Sequence, residues 1–294
     1  MLNMIGRWRA GVIAGLLLNM LAVAGIAQTW TQVPGALNVI SASPDGTAVW
    51  GINIQGNFYR WNSAASGWDA MHPVPLSPAA QSALQPATGT PPLPASKVYD
   101  LAVASTNDVT VTDLQAGLVF RWTGATWRLA QGYVAGLTVG VDGVVRGLAG
   151  GAPVQLTSCV DPSGQFVTDD WKPLPAYYNP IFVPLRRISG NDKGLFGVIG
   201  NMPGQFLTLQ WTSATNQWVP SPGVSNNVAD MRIGSDGTLV AQDWTLGFVW
   251  RNGFSWAPLP LPAGLQPLQL VSLAYVNKSN MWALDDQGRI FRFQ

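Results

Sequence analysis

Hydrophobic and polar residues alternate in short runs along most of the chain after residue 27. In the sequence Phe-Tyr-Arg-Trp, for example, alternation places Tyr59 and Trp61 on one face of a strand and Arg60 on the other. Asp-Gly turns such as those at Ser43–Gly46 and Ser235–Gly237 separate the runs, and turns of this kind join antiparallel strands. The pattern therefore predicts an all-β protein built from short strands.

The strand pattern repeats, and the clearest marker of the repeat is a Trp followed by prolines or polar residues. Its spacings are 38, 59, 44, 47 and 38 residues. The marker residues are Trp30, Trp68, Trp127, Trp171, Trp218 and Trp256. The longest spacing contains a Pro-rich insertion over residues 73–95, and without it the period is about 40 residues, the length of one four-stranded propeller blade. Six copies indicate six blades.

Two further strand patterns precede the marker Trp in each repeat. The second strand has Gly or Ala at its third position in five of the six copies, which we interpret as the result of crowding between neighbouring blades. The third strand ends in an aromatic residue in most copies. We expect four of these, Trp61, Trp122, Trp211 and Trp250, to pack in the core.

The first and last repeats predict how the ring of blades closes. The last repeat stops at Gln294 after its third strand, whereas the first begins with an isolated fourth-strand sequence around Trp30. An N-terminal strand that completed the last blade would remove a free sheet edge. We therefore expect residues 28–294 to form a six-bladed β-propeller closed by its own N-terminal strand.

Residues 1–27 have the pattern of a secretory signal peptide. Basic Arg7 and Arg9 precede an apolar run that ends in small residues before Gln28. An uncleaved N-terminal anchor is the alternative, because the run is only slightly shorter than a membrane span. With cleavage before Gln28, we expect a secreted or periplasmic protein that does not insert into the membrane.

Composition excludes several classes of function. The net charge is +1 and only 11% of residues are charged, which argues against a nucleic-acid partner. Cys159 is the only Cys and His72 the only His, so an internal disulfide and a multi-His metal site are both excluded. Two pairs of acidic residues, Asp169–Asp170 and Asp285–Asp286, are adjacent in sequence. On a strand such neighbours point to opposite faces, so neither is an obvious pair of catalytic carboxylates. We expect no catalytic residues, no metal and no cofactor.

The repeat resembles that of the tectonin β-propeller family, which includes egg and haemolymph lectins. The segments that carry the resemblance are Trp30–Gly35 (WTQVPG), Pro44–Gly46 (PDG), Val49–Trp61 (VWGINIQGNFYRW) and Met281–Phe293 (MWALDDQGRIFRF). The repeat that contains Arg146 and Leu156 departs most, because these residues stand where the two aromatic residues belong. The resemblance implies the propeller fold and saccharide binding.

The loops between the second and third strands carry polar candidates for ligand binding. We expect them to open on the same face as the connections between blades. Amides and carboxylates beside an aromatic ring supply what a polyhydroxyl ligand needs. The candidates are Asn53, Gln55, Asp113, Gln115, Asp243, Trp244, Asp285, Asp286 and Gln287. The third-strand residues Arg60, Arg121 and Arg292 could add bidentate donors. The alternative is that Asp and Asn only shape the turns.

Two binding functions fit this sequence. The first is a secreted lectin-like protein that recognises glycans or cell-surface saccharides at several loops and gains avidity from repetition. The second is a protein-interaction propeller that uses the loops and the insertion, because Pro-rich segments dock in aromatic grooves. An enzyme is not expected, since no catalytic set emerges.

Overall fold

The computed structural model describes residues 28–85, 91–130, 132–160, 166–174, 177–178, 181–182, 184–191, 194–200, 207–212, 214–215, 217–221, 227–252 and 255–294. The predicted signal peptide, residues 1–27, lies outside the described residues. The predicted six-bladed propeller is confirmed: the chain forms six antiparallel sheets of four strands each. No helix of the described part is long and apolar enough to cross a membrane.

The strands follow the predicted order around the ring. The first strand, β1 (Trp30–Ala36), is the outer strand of the sixth blade. Blade one contains β2 (Val39–Ala42), β3 (Val49–Ile52), β4 (Phe58–Asn62) and β5 (Gly67–Ala70). Blade two contains β6 (Tyr99–Ser105), β7 (Asp108–Asp113), β8 (Leu118–Trp122) and β9 (Trp127–Ala130). Blade three contains β10 (Ala135–Val139), β11 (Val145–Ala149), β12 (Ala152–Val160) and β13 (Phe166–Pro173).

A two-stranded ribbon, β14 (Tyr177–Tyr178) and β15 (Ile181–Phe182), separates blade three from blade four. Blade four contains β16 (Arg187–Asn191), β17 (Gly194–Ile199), β18 (Leu207–Thr212) and β19 (Gln217–Pro220). Blade five contains β20 (Val228–Ile233), β21 (Leu239–Asp243), β22 (Gly247–Asn252) and β23 (Ser255–Pro258). Blade six contains β24 (Leu270–Asn277), β25 (Asn280–Asp285), β26 (Arg289–Phe293) and β1.

The ring closes as predicted, through antiparallel pairing of β1 with β26. Trp30 lies opposite Phe293, and their ring centroids are 5.2 Å apart. Val33 of β1 is buried in a cluster that also contains Ile40 of blade one and Trp282 of blade six. The N-terminal strand therefore joins the last blade by hydrogen bonds and contributes to the core that connects it to the first.

The small residue in the second strands makes room for an aliphatic side chain at the start of the same blade. A Cβ atom on Gly51 would lie 2.3 Å from the side chain of Leu37, which stands two residues before the start of β2. A Cβ on Gly147 would likewise lie 2.3 Å from Val134, just before β10. The side chain that requires a small residue in the second strand thus comes from the segment that leads into the same blade. The sequence interpretation had placed it on a neighbouring blade.

The third-strand tryptophans pack in the core as predicted. Trp122 is only 4% exposed, and Trp61, Trp211 and Trp250 are half-buried against clusters of buried aliphatic residues. The ring of Trp61 lies 5.3 Å from that of Trp68 in the neighbouring strand. These contacts are edge-on or tilted, the geometry that aromatic pairs prefer.

The described part of the Pro-rich insertion, residues 73–85 and 91–95, is packed rather than a simple loop, which the sequence interpretation missed. It contains a helix, α1 (Pro78–Leu84), which begins with Pro at its first position and is capped by Ser77. The Ser77 hydroxyl oxygen accepts a hydrogen bond from the Ala80 amide at 3.0 Å. Ala80 and Leu84 are buried in the cluster that joins blades one and two. A single turn, Ala95–Lys97, then leads into β6.

Candidate functional site

The loops between second and third strands lie on the same face as the connections between blades, as predicted. A cleft of about 500 Å³ shows this directly, because residues 35–38 of one connection and residues 53–55 of one loop both line it. The mouth of the central channel opens beside the cleft, and Asn38 lines both. We call this side of the propeller the loop face.

The cleft lies between blade six and blade one, where the ring closes. Four candidate residues from two loops come together here: Asn53 and Gln55 from blade one, and Asp286 and Gln287 from blade six. The side chains of Gln55, Asp286 and Gln287 are exposed. The cleft thus combines one acidic side chain with several amides that can both donate and accept hydrogen bonds.

Two buried or half-buried groups hold these loops in place. The Asn53 carboxamide oxygen accepts hydrogen bonds from the amides of Gln55 at 3.1 Å and Asn57 at 2.9 Å. One Asp285 carboxylate oxygen accepts in the same way from Gln287 and Arg289, at 3.1 and 2.8 Å. Both are Asx-type turns, in which a side chain fixes the backbone that follows it. The turns therefore orient the outer side chains toward the cleft.

Two aromatic side chains, Tyr59 and Trp68, form the wall of the cleft on blade one. The Trp68 indole donates a hydrogen bond from Nε1 to the Pro34 carbonyl at 3.1 Å, which fixes the ring against the sixth blade. The Asn53 side chain donates to the Tyr59 hydroxyl at 3.4 Å. Gly35 has a φ of +114° and passes close to Trp68, so a side chain there would be both strained and crowded.

Three of the candidate carboxylates, Asp113, Asp243 and Asp285, are buried and hydrogen-bonded within their own blades. Asp243, for example, accepts from the amides of Thr245 and Leu246 at 2.7 and 3.1 Å. Asp113 accepts from the amides of Gln115 and Ala116, each at 3.0 Å. These groups shape the turns, which was the alternative interpretation for them.

The third-strand arginines are not part of the loop face, contrary to the idea that they add donors to it. Arg121 pairs with Asp108 at 2.7 Å, and Asp108 begins β7 at the end of the strand opposite the loop. Arg60 lies 3.7 Å from the half-exposed Asp69. The Arg292 guanidinium lies over the ring of Trp282, 5.1 Å from its centroid. All three arginines therefore contact residues on the strands of the blades and not residues of the loops.

Arg121 forms shorter ion pairs than Arg60 does. It also contacts Asp169 of blade three at 2.6 Å, and Asp169 is 1% exposed whereas its neighbour Asp170 is exposed. The hydrogen bond with Asp108 is the main reason that the pKa of Arg121 is raised. In Arg292, burial instead lowers the pKa of the guanidinium. The different exposures of Asp169 and Asp170 agree with the prediction that adjacent acidic residues face opposite ways.

Trp244 is exposed, as predicted, but it lies away from the cleft. Its side chain is 48% exposed and occupies the same loop position in blade five that Ile54 occupies in blade one. It is not among the residues that line the cleft. Gln115, at the position that corresponds to Gln55, donates to the Lys97 carbonyl at 2.9 Å. The loop residues that the sequence predicts as ligand-binding candidates are therefore only partly brought together into one site.

The channel mouth carries charged residues that sequence analysis did not single out. Asp100 and Arg187 stand at the starts of β6 and β16, whereas Asp230 and Arg232 lie further along β20. Burial raises the pKa of Asp100, although the Leu137 amide donates to its carboxylate at 2.7 Å. Their shared signal is position, because each lies on the first strand of its blade. Within the described ranges, no group of three or more His, Cys, Asp or Glu could hold a metal ion.

Comparisons with known proteins support the fold alone. No family model matches the sequence, and no curated protein matches it significantly. Virginiamycin B lyase from Staphylococcus aureus is similar in structure, with a TM-score of 0.53 and 14% identity over 91% of this chain and 98% of that chain. The Cps50 (Swd1) β-propeller domain of Myceliophteria thermophila has a TM-score of 0.51 and 7% identity, over 90% and 98% of the two chains. Both are propeller-shaped neighbours at identities too low to transfer a function.

Proposed function

We propose that this protein is a non-enzymatic, lectin-like propeller that binds saccharides in the cleft between blades six and one. The observation that carries the proposal is the pairing of two aromatic walls, Tyr59 and Trp68, with the exposed polar side chains of Gln55, Asp286 and Gln287. Aromatic faces stack on the apolar faces of sugar rings, while amides and carboxylates bind their hydroxyl groups. The resemblance to tectonin repeats supports the same ligand class.

The dimensions and rigidity of the cleft also support a small polyhydroxyl ligand. Its volume of about 500 Å³ lies within the range of ordinary small-molecule sites. The Asx turns at Asn53 and Asp285 fix the loops before a ligand arrives, so binding needs little ordering of the backbone. A single shallow cleft gives modest affinity, and presentation of many copies of the saccharide on a surface raises it.

A glycan array tests this proposal with the full chain and two variants. The triple variant Gln55→Ala/Asp286→Ala/Gln287→Ala removes polar groups from the cleft while the turns keep their own hydrogen bonds. We expect it to bind the glycan at least tenfold more weakly, about 1.4 kcal/mol. The matched control is Gln32→Ala, which removes an exposed amide from β1 that does not line the cleft and leaves binding as in the parent. A parent that binds no glycan, or a triple variant that binds as well as the parent, contradicts the proposal.

A protein partner is the second candidate, and exposed apolar side chains on the loop face favour it. Trp244, Leu246, Leu268 and Val271 are each 47 to 60% exposed near the junction of blades five and six. The Gly247 position touches Pro267, which brings the loop of blade five beside the turn that carries Leu268. Exposed apolar residues grouped in this way are typical of interaction surfaces. A peptide array probed with the full chain and with Trp244→Ser/Leu246→Ser tests this alternative, because the variant should lose most of the signal.

Secretion is part of the proposal, on the strength of the signal-peptide pattern before Gln28. A saccharide-binding protein with one Cys and no disulfide requirement can function in an oxidising compartment. Intact mass spectrometry of the protein from its native host should show a chain that starts at Gln28. A mass that includes Met1 would support the uncleaved anchor instead.

A further inference from the structure

The junction between blades one and two repeats the architecture of the cleft. Trp127 donates from Nε1 to the His72 carbonyl at 3.0 Å, just as Trp68 donates to the Pro34 carbonyl at 3.1 Å. Asp113 and Gln115 occupy the loop positions of Asn53 and Gln55, and Asp113 fixes its turn in the same way. The framework of a binding cleft is therefore present at this second junction.

The described part of the insertion fills this second junction. The Ser77 hydroxyl donates to the buried Asp113 carboxylate at 2.6 Å, which anchors α1 to blade two. At its other end α1 contacts blade one, because a Cβ on Gly56 would lie 2.6 Å from Leu84. The Gln115 side chain donates to the Lys97 carbonyl at 2.9 Å, so the turn Ala95–Lys97 at the end of the insertion is held as well. At the first junction only residues 37 and 38 lie between the corresponding strands, β1 and β2.

Beneath α1 lies a polar group that no described residue satisfies. Tyr99 is 2% exposed, and within the described residues its hydroxyl has no hydrogen-bond partner. Burial, with the nearby Asp113 carboxylate as a second cause, raises the pKa of Tyr99. The hydroxyl lies close to the loop of blade one, since a Cβ on Gly56 would be 3.6 Å from it. Buried hydroxyls are normally paired, so an unpaired one calls for a partner that the covered state lacks.

We propose that the junction between blades one and two is a second saccharide site, which the insertion covers. The Ser77 hydroxyl then occupies the place of a sugar hydroxyl on Asp113, and Leu84 occupies the place of the apolar face of a sugar ring. When the insertion lifts away, Tyr99, Asp113 and Gln115 are free to bind the ligand. This inference rests on the proposed function, because it assigns the same ligand class to a junction of the same build.

The test replaces residues 73–97 with Gly-Ala, which copies Gly35 and Ala36, the two residues that follow Pro34 at the first junction. The replacement is made in the triple variant Gln55→Ala/Asp286→Ala/Gln287→Ala, whose open cleft no longer binds. Both proteins are probed on a printed array of plant, microbial and animal oligosaccharides. We expect the triple variant to show background signal, and the uncovered triple variant to recover binding at least tenfold above background.

The insertion contributes Ala80, Leu84 and Ala95 to a core cluster, so its replacement can prevent folding. A milder variant covers that case. Ser77→Ala/Leu84→Ala in the same background leaves every blade residue in place and removes the two anchors of α1. It should recover part of the signal. If the parent binds glycans but neither uncovered protein does while folded by circular dichroism, the second site does not exist and the proposed function stands. If the parent and the folded uncovered proteins all bind no glycan, both proposals fall.

Discussion

The Trp68 indole donates a hydrogen bond from Nε1 to the carbonyl of Pro34, at 3.1 Å, and so joins blade one to blade six. The same bond recurs at the two neighbouring junctions. Trp30 donates to the Pro260 carbonyl at 2.8 Å, and Trp127 donates to the His72 carbonyl at 3.0 Å. In each case the acceptor stands four residues after the marker Trp of the preceding blade. We call this bond the tryptophan latch, and it gives the repeated Trp a role between blades.

The first prediction removes one latch while keeping an aromatic ring. Trp68→Phe leaves the Pro34 carbonyl without its donor, and we expect the free energy of unfolding to fall by about 1 kcal/mol from the lost hydrogen bond alone. The smaller ring adds to this loss. Trp244→Phe is the matched control, because Trp244 is 48% exposed and should change stability by less than about 0.5 kcal/mol. Urea denaturation measures both, and equal stabilities of the two variants would contradict the latch.

The latch illustrates why the fold was predictable and part of its chemistry was not. The period of the Trp marker is a property of the sequence, and it gave the number of blades and the closure by β1 correctly. The acceptor of each indole is a backbone carbonyl on another blade, which leaves no trace in residue type. Pro34 and Pro260 are both prolines, but the third acceptor is His72, so the pattern identifies the acceptors only after the structure is known.

The second prediction concerns the closing strand. Deletion of residues 28–36 removes the pairing of β1 with β26 and exposes the edge of that strand over Arg289–Phe293. It also empties the buried position of Val33. We expect the deleted protein to aggregate or to melt well below the parent, because an unpaired edge strand is a template for association. Differential scanning calorimetry and size-exclusion chromatography test this. A monomer with an unchanged melting curve would disprove the closure.

The third prediction compares two arginines at the same strand position. Arg121→Met leaves Asp169 as a buried carboxylate without its cation, and we expect a loss of about 3 kcal/mol. Arg60→Met breaks a pair whose atoms are 3.7 Å apart and whose side chains are 33% and 42% exposed, so the loss should stay below about 1 kcal/mol. Urea denaturation at neutral pH measures both variants. Similar losses in the two would show that the contact with blade three contributes little.

The candidate site was less predictable than the fold, for a physical reason. Asp113, Asp243 and Asp285 end their strands just before the loops, where a ligand-binding carboxylate and a turn-shaping carboxylate look alike in sequence. The structure separates them by burial: Asp285 is 1% exposed and bonds its own turn, whereas its neighbour Asp286 is exposed in the cleft. Sequence alternation shows that two adjacent residues face opposite ways, but it does not show which of them faces the ligand.

The last prediction separates two roles of Trp on blade five. Trp250 is half-buried against the cluster that contains Val240 and Phe291, and Lys278 lies 5.6 Å from its ring centroid. Trp250→Ala should therefore lower the free energy of unfolding by about 3 kcal/mol. Trp244→Ala should leave stability nearly unchanged, since nearly half of its side chain already faces water. If the loop of blade five also binds saccharide, Trp244→Ala should weaken glycan binding several-fold, by about 1 kcal/mol.

Each variant is measured twice, once for its melting temperature and once for its affinity for the glycan that the parent binds. The reason for pairing the two readouts is that a destabilised blade would lower affinity indirectly, whereas a lost contact would lower affinity alone. Loss of affinity in Trp244→Ala at an unchanged melting temperature places a ligand contact on blade five. A fall in melting temperature as large as that of Trp250→Ala would instead assign Trp244 a packing role, in conflict with its exposure. Unchanged affinity and stability together would restrict saccharide binding to the cleft that Tyr59 and Trp68 line.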